Sequence, residues 1–371
     1  MRVLLTGGGT GGHIYPALAI ANEIKQKYPE AKILFVGNSS GMEADVVPRE
    51  GFDFRSITVE GLPRKLHRVF HVMKVLAKTC KGGIDAYRIL RDFKPTVVVG
   101  TGGYVCFSVV MLAALLKIPT LIQEQNALPG RTNRILAHVA SKVAVTFPES
   151  IRYFTPKAHI VVTGLPVRDE VVSADRAGGI SAFGLKEGKF TILGVGGSQG
   201  ARSLNRAMVE VIANTAAYDD FQVIHVTGQA GYDETLKELE VRGIRPAESG
   251  NITFEPYLYN IAQALAAADL VVCRAGATTI AEVEVRGLPA ILIPYPYAAN
   301  NHQEYNARAL VKGGAAIMIK DRDLTGQRLW EEISSLSRAK TRLAEMAEKS
   351  RQMGRPNALK HLVQIIADLS T

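Results

Sequence analysis

Two stretches of this chain open alike: a short apolar run, a cluster of glycines, then an apolar-periodic segment. Val3-Leu4-Leu5 leads into Gly8-Gly9-Thr10-Gly11-Gly12-His13, and Thr191-Ile192-Leu193 leads into Gly196-Gly197-Ser198-Gln199-Gly200-Ala201. A buried strand that hands over to a helix through glycines starts a βαβ unit. Apolar runs of strand length follow each opening, at 2–6, 32–36, 96–99, 120–122, 142–145 and 160–162, then at 190–195, 222–226, 252–254, 270–273, 290–293 and 315–319. With amphipathic segments between them, these runs predict an α/β chain of two doubly wound parallel-sheet domains, a weak repeat of whole domains.

A length of 371 residues accommodates two such cores. Gly and Pro punctuate Thr163-Gly164-Leu165-Pro166-Val167-Arg168, which places the first domain at 1–163 and the second at 164–354. Pro356 starts a final helix within 355–371, whose apolar Leu359, Leu362, Val363, Ile366 and Leu369 could pack back onto the first domain. The longest apolar stretch, 105–116, is too short to cross a bilayer, and the N-terminal run is too brief for a secretion signal, so a cytoplasmic chain is expected. Three scattered cysteines without a CxxC predict reduced thiols and no zinc site.

The net charge is +9, and the segment 64–81 holds +6 of it, with six basic residues and no acid. From Leu66, apolar positions recur at helical spacing opposite Arg68, His71, Lys74, Lys78 and Lys81. Such a stripe is either an amphipathic contact with an anionic membrane surface or a core-facing helix with a solvated basic side, and Gly82-Gly83 is expected to stop it. Phe70 is the only aromatic in the stripe, so single-strand nucleic-acid binding is not expected.

The first glycine cluster satisfies G-x-G-x-x-G through Gly7, Gly9 and Gly12 ahead of a helix expected near Ile14 or Pro16. Its backbone amides either approach a phosphate or simply make a tight turn. A nicotinamide site needs an acid at the end of the second strand, where this chain has Val36-Gly37-Asn38-Ser39. His13 can act as a base near neutral pH or cap the turn. In the second half Ser198 can bond a phosphate. Arg168 can add a forked cationic contact, or pair with Asp169 or Glu170. Glu282 follows Cys273-Arg274-Ala275-Gly276 in the first turns of a helix, where a carboxylate can accept from a ribose diol. Thr101-Gly102-Gly103-Tyr104, Gln123-Glu124-Gln125-Asn126 and Asn300-Asn301-His302-Gln303 add polar groups at further strand ends, where open α/β sheets bind ligands. Asp321-Arg322-Asp323 is a literal DxD, read as a solvated turn ahead of a Thr325 helix cap, so no metal is expected.

These motifs, in this order over nearly the whole chain, resemble the MurG family of peptidoglycan N-acetylglucosaminyltransferases. The resemblance implies a GT-B fold: two Rossmann-like domains facing a central cleft, the first for a lipid-linked acceptor and the membrane, the second for UDP-GlcNAc. It implies that Arg168 and Ser198 contact the donor diphosphate, Glu282 the ribose, and the backbone of Leu258 the uracil. Ala277 and Thr278 join this donor set. Gln303 with His302 would read the sugar hydroxyls, and Asn126 would reach the sugar. Thr10, Gly11 and Gly12 would line the cleft near the donor and acceptor phosphates, and Tyr104 would join the substrate-binding residues. Arg64, Lys65, Arg68, Phe70, Lys74 and Lys78 would touch an anionic membrane. Two positions depart from the pattern: Ala281, where some relatives have Ser, and Cys106, where small residues are usual.

The implied reaction is an inverting transfer of GlcNAc to the muramyl 4-hydroxyl of a polyprenyl-pyrophosphate-linked muramyl peptide. It would use no cofactor and run at the cytoplasmic face of the inner membrane, where other cell-wall synthesis proteins are possible partners. His13 is the expected base, with Glu124 as its rival. Competing readings are another two-domain sugar enzyme, such as a glycolipid glycosyltransferase or a UDP-GlcNAc 2-epimerase, and a non-catalytic nucleotide-sugar-binding subunit.

Overall fold

The structure, a computed structural model, describes residues 1–59, 69–197 and 201–371, and the side chains of these except 69–80. The chain forms two compact units, one of Met1–Pro166 with Asn357–Thr371 and one of Val167–Pro356.

The first unit is built on β1 (Arg2–Gly7), β2 (Lys32–Asn38), β3 (Asp53–Ile57), β4 (Val97–Gly102), β5 (Thr120–Glu124), β6 (Lys142–Val145) and β7 (Ile160–Val162). They form one sheet in the order β3-β2-β1-β4-β5-β6-β7, and every pairing is parallel. Val3 is in register with Ile33 on one side and Val97 on the other. Helices cover both faces of such a sheet, which is why Val3, Leu4 and Leu5 are all inaccessible to solvent and the strands read as continuous apolar runs. The exception is β3, an edge strand missed by the sequence pattern. Its Asp-Phe-Arg-Ser-Ile is mostly solvated, and hydrophobic patterning carries no signal for it.

Two helix boundaries differ from expectation. The helix after β1 starts at Gly11, with Thr10 in extended backbone before it, so the last glycines of the motif form its first turn. The helix Val69–Phe93 runs straight through Gly82-Gly83. Gly82 serves close approach: a Cβ there would lie 2.5 Å from Val59 Cγ1 and 2.6 Å from the Thr58 carbonyl oxygen.

The last helix, Ala358–Ser370, inserts Leu362, Val363, Ile365 and Ile366 into the core that Val3, Leu5, Val97 and Val99 form. Each such side chain contributes about 1.5 to 3 kcal/mol of burial. Lys27 Nζ donates to Gln364 Oε1 at 3.1 Å, tying this helix to Gly11–Lys27.

The second unit repeats the plan. Its strands β8 (Phe190–Val195), β9 (Phe221–Val226), β10 (Ile252–Glu255), β11 (Leu270–Cys273), β12 (Ala290–Leu292) and β13 (Ala316–Met318) run β10-β9-β8-β11-β12-β13, all parallel. In both units the order reverses beside the opening strand, between β1 and β4 and between β8 and β11. Loops leaving the strands there splay apart, which makes a crevice for ligands. No helix among the described residues is long and apolar enough to cross a membrane. Cys106 and Cys273 are free and buried, and burial pushes both thiols up to about 12.

Among the described residues, the core of this unit buries the imidazole of His225 on β9. Its Nδ1 lies 3.2 Å from the Gly194 carbonyl and its Nε2 has no partner. Burial depresses its pKa to about 4. An unfolded imidazole takes up its proton near 6.5, so the neutral ring stabilises the fold above that value and the contribution is lost as pH falls toward 4. The unit is expected to lose on the order of 2 to 3 kcal/mol between pH 7 and pH 4.5 from this group. Thermal unfolding of wild type and His225→Gln across that range checks it: the variant should lack this component of the slope.

Candidate active site

In the first unit the site is assembled where β1 and β4 end. The Gly8 amide donates to the Gly102 carbonyl at 3.3 Å, and Thr101 Oγ1 donates to the His13 carbonyl at 2.8 Å, so the two loops are stitched together. Gly103 sits in the left-handed region at φ 87°, and a Cβ on it would lie 2.5 Å from the Gly8 oxygen. Gly11 and Gly12 are the first two residues of their helix and have no intrahelical acceptor, which leaves their amides directed outward at its positive end. Thr10 beside them is exposed.

His13 is half-buried on that first turn. Its Nδ1 lies 3.0 Å from the Gly8 carbonyl oxygen and 3.4 Å from Thr10 Oγ1. A carbonyl only accepts, so Nδ1 carries the proton and Nε2 keeps a lone pair. The Nε2 edge lies over Gly102, where a Cβ would come within 2.9 Å of it. Tyr104 follows on the β4 loop, its hydroxyl accepting from Asn38 Nδ2 at 3.0 Å.

Glu124, the rival candidate for the base, ends β5 and is engaged by the loop that follows it. It is 1% exposed and both oxygens are occupied. Oε1 accepts the Asn126 amide at 2.9 Å and Asn126 Nδ2 at 3.4 Å, while Oε2 accepts the Gly130 amide at 3.1 Å and Asn133 Nδ2 at 2.8 Å. Its lone pairs hold the loop 125–133 in shape. Gln125 links that loop to β4, donating to the Thr101 carbonyl at 2.7 Å.

The sequence reading overlooked Glu43. It opens the short helix Glu43–Arg49, turns back beneath the first glycine loop, and is 2% exposed. The signal available was an acid just after Gly37 and Gly41, two glycines that give it room.

In the second unit Ser198 lies outside the described residues, as do Arg64, Lys65 and Arg68 and the side chains of Phe70, Lys74 and Lys78. Arg168 precedes the helix Asp169–Ser173, and its Nη2 donates to Glu282 Oε1 at 3.1 Å, in place of the expected alternatives Asp169 and Glu170. Glu282 stands in the second turn of Ala277–Arg286. Burial raises its pKa, and the Arg168 guanidinium pulls it back down. Ala277 and Thr278 begin that helix and present unbonded amides at its N-terminus.

Leu258 lies between Tyr257 and Tyr259, exposed rings that meet edge-on at 4.9 Å. Gln303 Oε1 accepts the Tyr295 amide at 2.9 Å, which fixes its side chain and leaves the amide nitrogen to donate elsewhere. His302 Nδ1 donates to the Ala299 carbonyl at 2.8 Å, so its Nε2 is the acceptor.

The DxD forms the expected turn, with Thr325 capping the next helix through the Arg328 amide. Asp321 is committed to Arg274, at 2.5 Å, and to Ser203, at 2.6 Å. Among the described residues no three His, Cys, Asp or Glu side chains gather as a metal site would require.

Residues 3–145 match the Glycosyltransferase family 28 N-terminal domain and residues 191–362 its C-terminal domain. The chain is 52% identical over 366 residues to the UDP-N-acetylglucosamine--N-acetylmuramyl-(pentapeptide) pyrophosphoryl-undecaprenol N-acetylglucosamine transferase of Desulforamulus reducens, covering 99% of this chain and 98% of that one. It is 49% identical to the enzyme of the same name from Moorella thermoacetica, over 99% and 98% of the two chains. The crystal structure of Acinetobacter baumannii MurG superposes with a TM-score of 0.80 at 30% identity, covering 99% of both chains. Two parallel-sheet units of this topology and full-length identity at this level place the chain in the MurG family of GT-B glycosyltransferases, the UDP-N-acetylglucosamine--N-acetylmuramyl-(pentapeptide) pyrophosphoryl-undecaprenol N-acetylglucosamine transferases.

Proposed function

We propose that this enzyme moves GlcNAc from UDP-GlcNAc to the 4-hydroxyl of the muramyl sugar in lipid I, giving lipid II, with His13 as the general base. The observation that carries the proposal is the 3.0 Å contact of His13 Nδ1 with the Gly8 carbonyl oxygen, which favours the Nδ1–H tautomer and leaves Nε2 to receive a proton. As the acceptor oxygen bonds to the anomeric carbon, its proton passes to Nε2. The bond from that carbon to the diphosphate oxygen breaks, and UDP departs. One displacement inverts the anomeric centre and needs no covalent intermediate.

The second unit takes the donor. Arg168 exchanges Glu282 for the diphosphate, which frees the carboxylate to accept from the ribose hydroxyls. The amides of Ala277 and Thr278, with Ser198, add donors for developing negative charge. The Leu258 backbone pairs with uracil, Gln303 and His302 bond the sugar hydroxyls, and Asn126 reaches the sugar. On the acceptor side, Thr10, Gly11, Gly12 and Tyr104 border the pyrophosphate and muramyl groups. The basic segment with Arg64, Lys65, Arg68, Phe70, Lys74 and Lys78 rests on the anionic cytoplasmic leaflet, which makes the enzyme peripheral. The first unit takes the acceptor task and the second the donor task.

Incubating the protein with UDP-GlcNAc and a lipid I analogue in EDTA, then measuring UDP, tests the function. UDP release only in the presence of acceptor supports it, whereas UDP binding without release would mark a non-catalytic subunit. Arg168→Ala is expected to raise KM for UDP-GlcNAc by about 10- to 100-fold, since charge-assisted hydrogen bonds contribute about 1.5 to 3 kcal/mol. An unchanged KM would remove Arg168 from the donor site.

A further inference from the structure

We infer that Glu43 is the positioning residue of His13, acting through the one peptide unit that joins Gly8 to Gly9. The N–H of that peptide donates to Glu43 Oε2 at 3.3 Å, and its carbonyl oxygen holds His13 Nδ1 at 3.0 Å. Carboxylate, peptide and imidazole form a continuous chain in which each hydrogen bond polarises the next. The carboxylate draws on the Gly9 N–H and shifts electron density toward the Gly8 oxygen. That oxygen becomes a stronger acceptor for Nδ1–H, the more so once Nε2 has taken a proton and the ring is positive. In catalytic triads a carboxylate bonds directly to histidine Nδ1, setting the tautomer and stabilising the imidazolium. Here a peptide stands between the two.

The site is built for this carboxylate. Its other oxygen, Oε1, accepts the Asn38 amide at 2.9 Å, so both oxygens are engaged by backbone donors. Three glycines make the room. A Cβ on Gly8 would lie 2.2 Å from Glu43 Oε1, one on Gly41 2.3 Å from Oε2, and one on Gly37 2.4 Å from Cγ. Burying a charge in a cradle of this kind is expensive, and a packing role alone would be met by an apolar side chain. Other titratable side chains near the loop are Tyr104, whose ring is 3.8 Å from the position of a Gly9 Cβ, and Tyr15, 3.0 Å from that of Gly11, both uncharged phenols. Asp45 on the same helix as Glu43 is exposed and paired with Arg49 at 2.9 Å.

The inference rests on the reading of His13 as the base, and it is tested so that the two can fail separately. Nitrogen-15 NMR of the full-length protein, with the His13 signals assigned by their loss in His13→Gln, reports the tautomer and the titration of the ring. Wild type is expected to show the Nδ1–H tautomer. In Glu43→Gln the ring is expected to titrate about 0.5 to 1 unit lower, because the imidazolium has lost its anion. Turnover by this variant should fall about 10-fold or more with KM for UDP-GlcNAc within twofold, and the acid limb of its pH profile should move down with the ring. Glu43→Asp, which keeps the charge, should restore the position of that limb. An Nε2–H tautomer in wild type, which needs no variant to fold, overturns the inference, as does a His13 titration that Glu43→Gln leaves in place. If instead His13→Ala turns over normally while Glu43→Gln still shifts the ring, the relay stands and the assignment of the base fails.

Discussion

His13→Ala is expected to lower kcat by about 10²- to 10⁴-fold while the protein folds normally, the range that a positioned general base contributes. The ring stands half-buried on the first turn of Gly11–Lys27, and alanine suits a helix better than histidine, so little stability is at stake. On the proposed reading of His13 as the base, what is lost is the acceptor for the proton that the attacking hydroxyl must shed. With Nδ1 bonded to the Gly8 carbonyl, Nε2 is the atom able to take it. The acid limb of kcat/KM should disappear with the ring, since that limb reports a base that must be unprotonated. Single-turnover kinetics at several pH values measure both effects, and a variant with wild-type rate and an intact acid limb would show that another group accepts the proton.

Glu124→Gln should have a large effect of the opposite kind, on stability with the pH profile keeping its shape. Each carboxylate oxygen of Glu124 accepts two donors, from Asn126 on one side and from Gly130 and Asn133 on the other. A glutamine amide has one oxygen and one NH2, so in either orientation a donor group is forced against two donors in a buried site. Leaving groups of this kind unsatisfied costs about 2 to 4 kcal/mol. For a unit of this size the melting transition should fall by roughly 6 to 12 °C. Calorimetry of the variant measures the fall. Unaltered stability together with a vanished acid limb would return Glu124 to the role of base.

The two carboxylates show why part of the site was legible and part was not. A sequence presents Glu124 at the end of a buried strand among polar neighbours, which is how a catalytic acid also looks. Its occupation by four donors depends on how the loop after β5 folds back, and residue type says nothing of that. Glu43 was invisible for the converse reason. It follows Asn38-Ser39-Ser40-Gly41-Met42, an ordinary loop, and gains significance only when that loop folds under glycines more than thirty positions earlier in the chain. Arg168 is a third instance: its partner, Glu282, is 114 residues away, and the local acids that sequence proximity favours are not the ones it bonds.

The strand runs, the two glycine openings and their order along the chain were settled by sequence alone. A strand buried on both faces must be apolar throughout, and a chain leaving it toward a helix at a ligand crevice needs residues without a Cβ. Those are local requirements, and local sequence meets them. The edge strand β3, the passage of Val69–Phe93 through two glycines, the partners of Glu124, Arg168 and Glu43, and the tautomer of His13 were decided by tertiary structure. Each depends on which distant backbone groups come within hydrogen-bonding reach, and that reach is set by how sheets and helices pack.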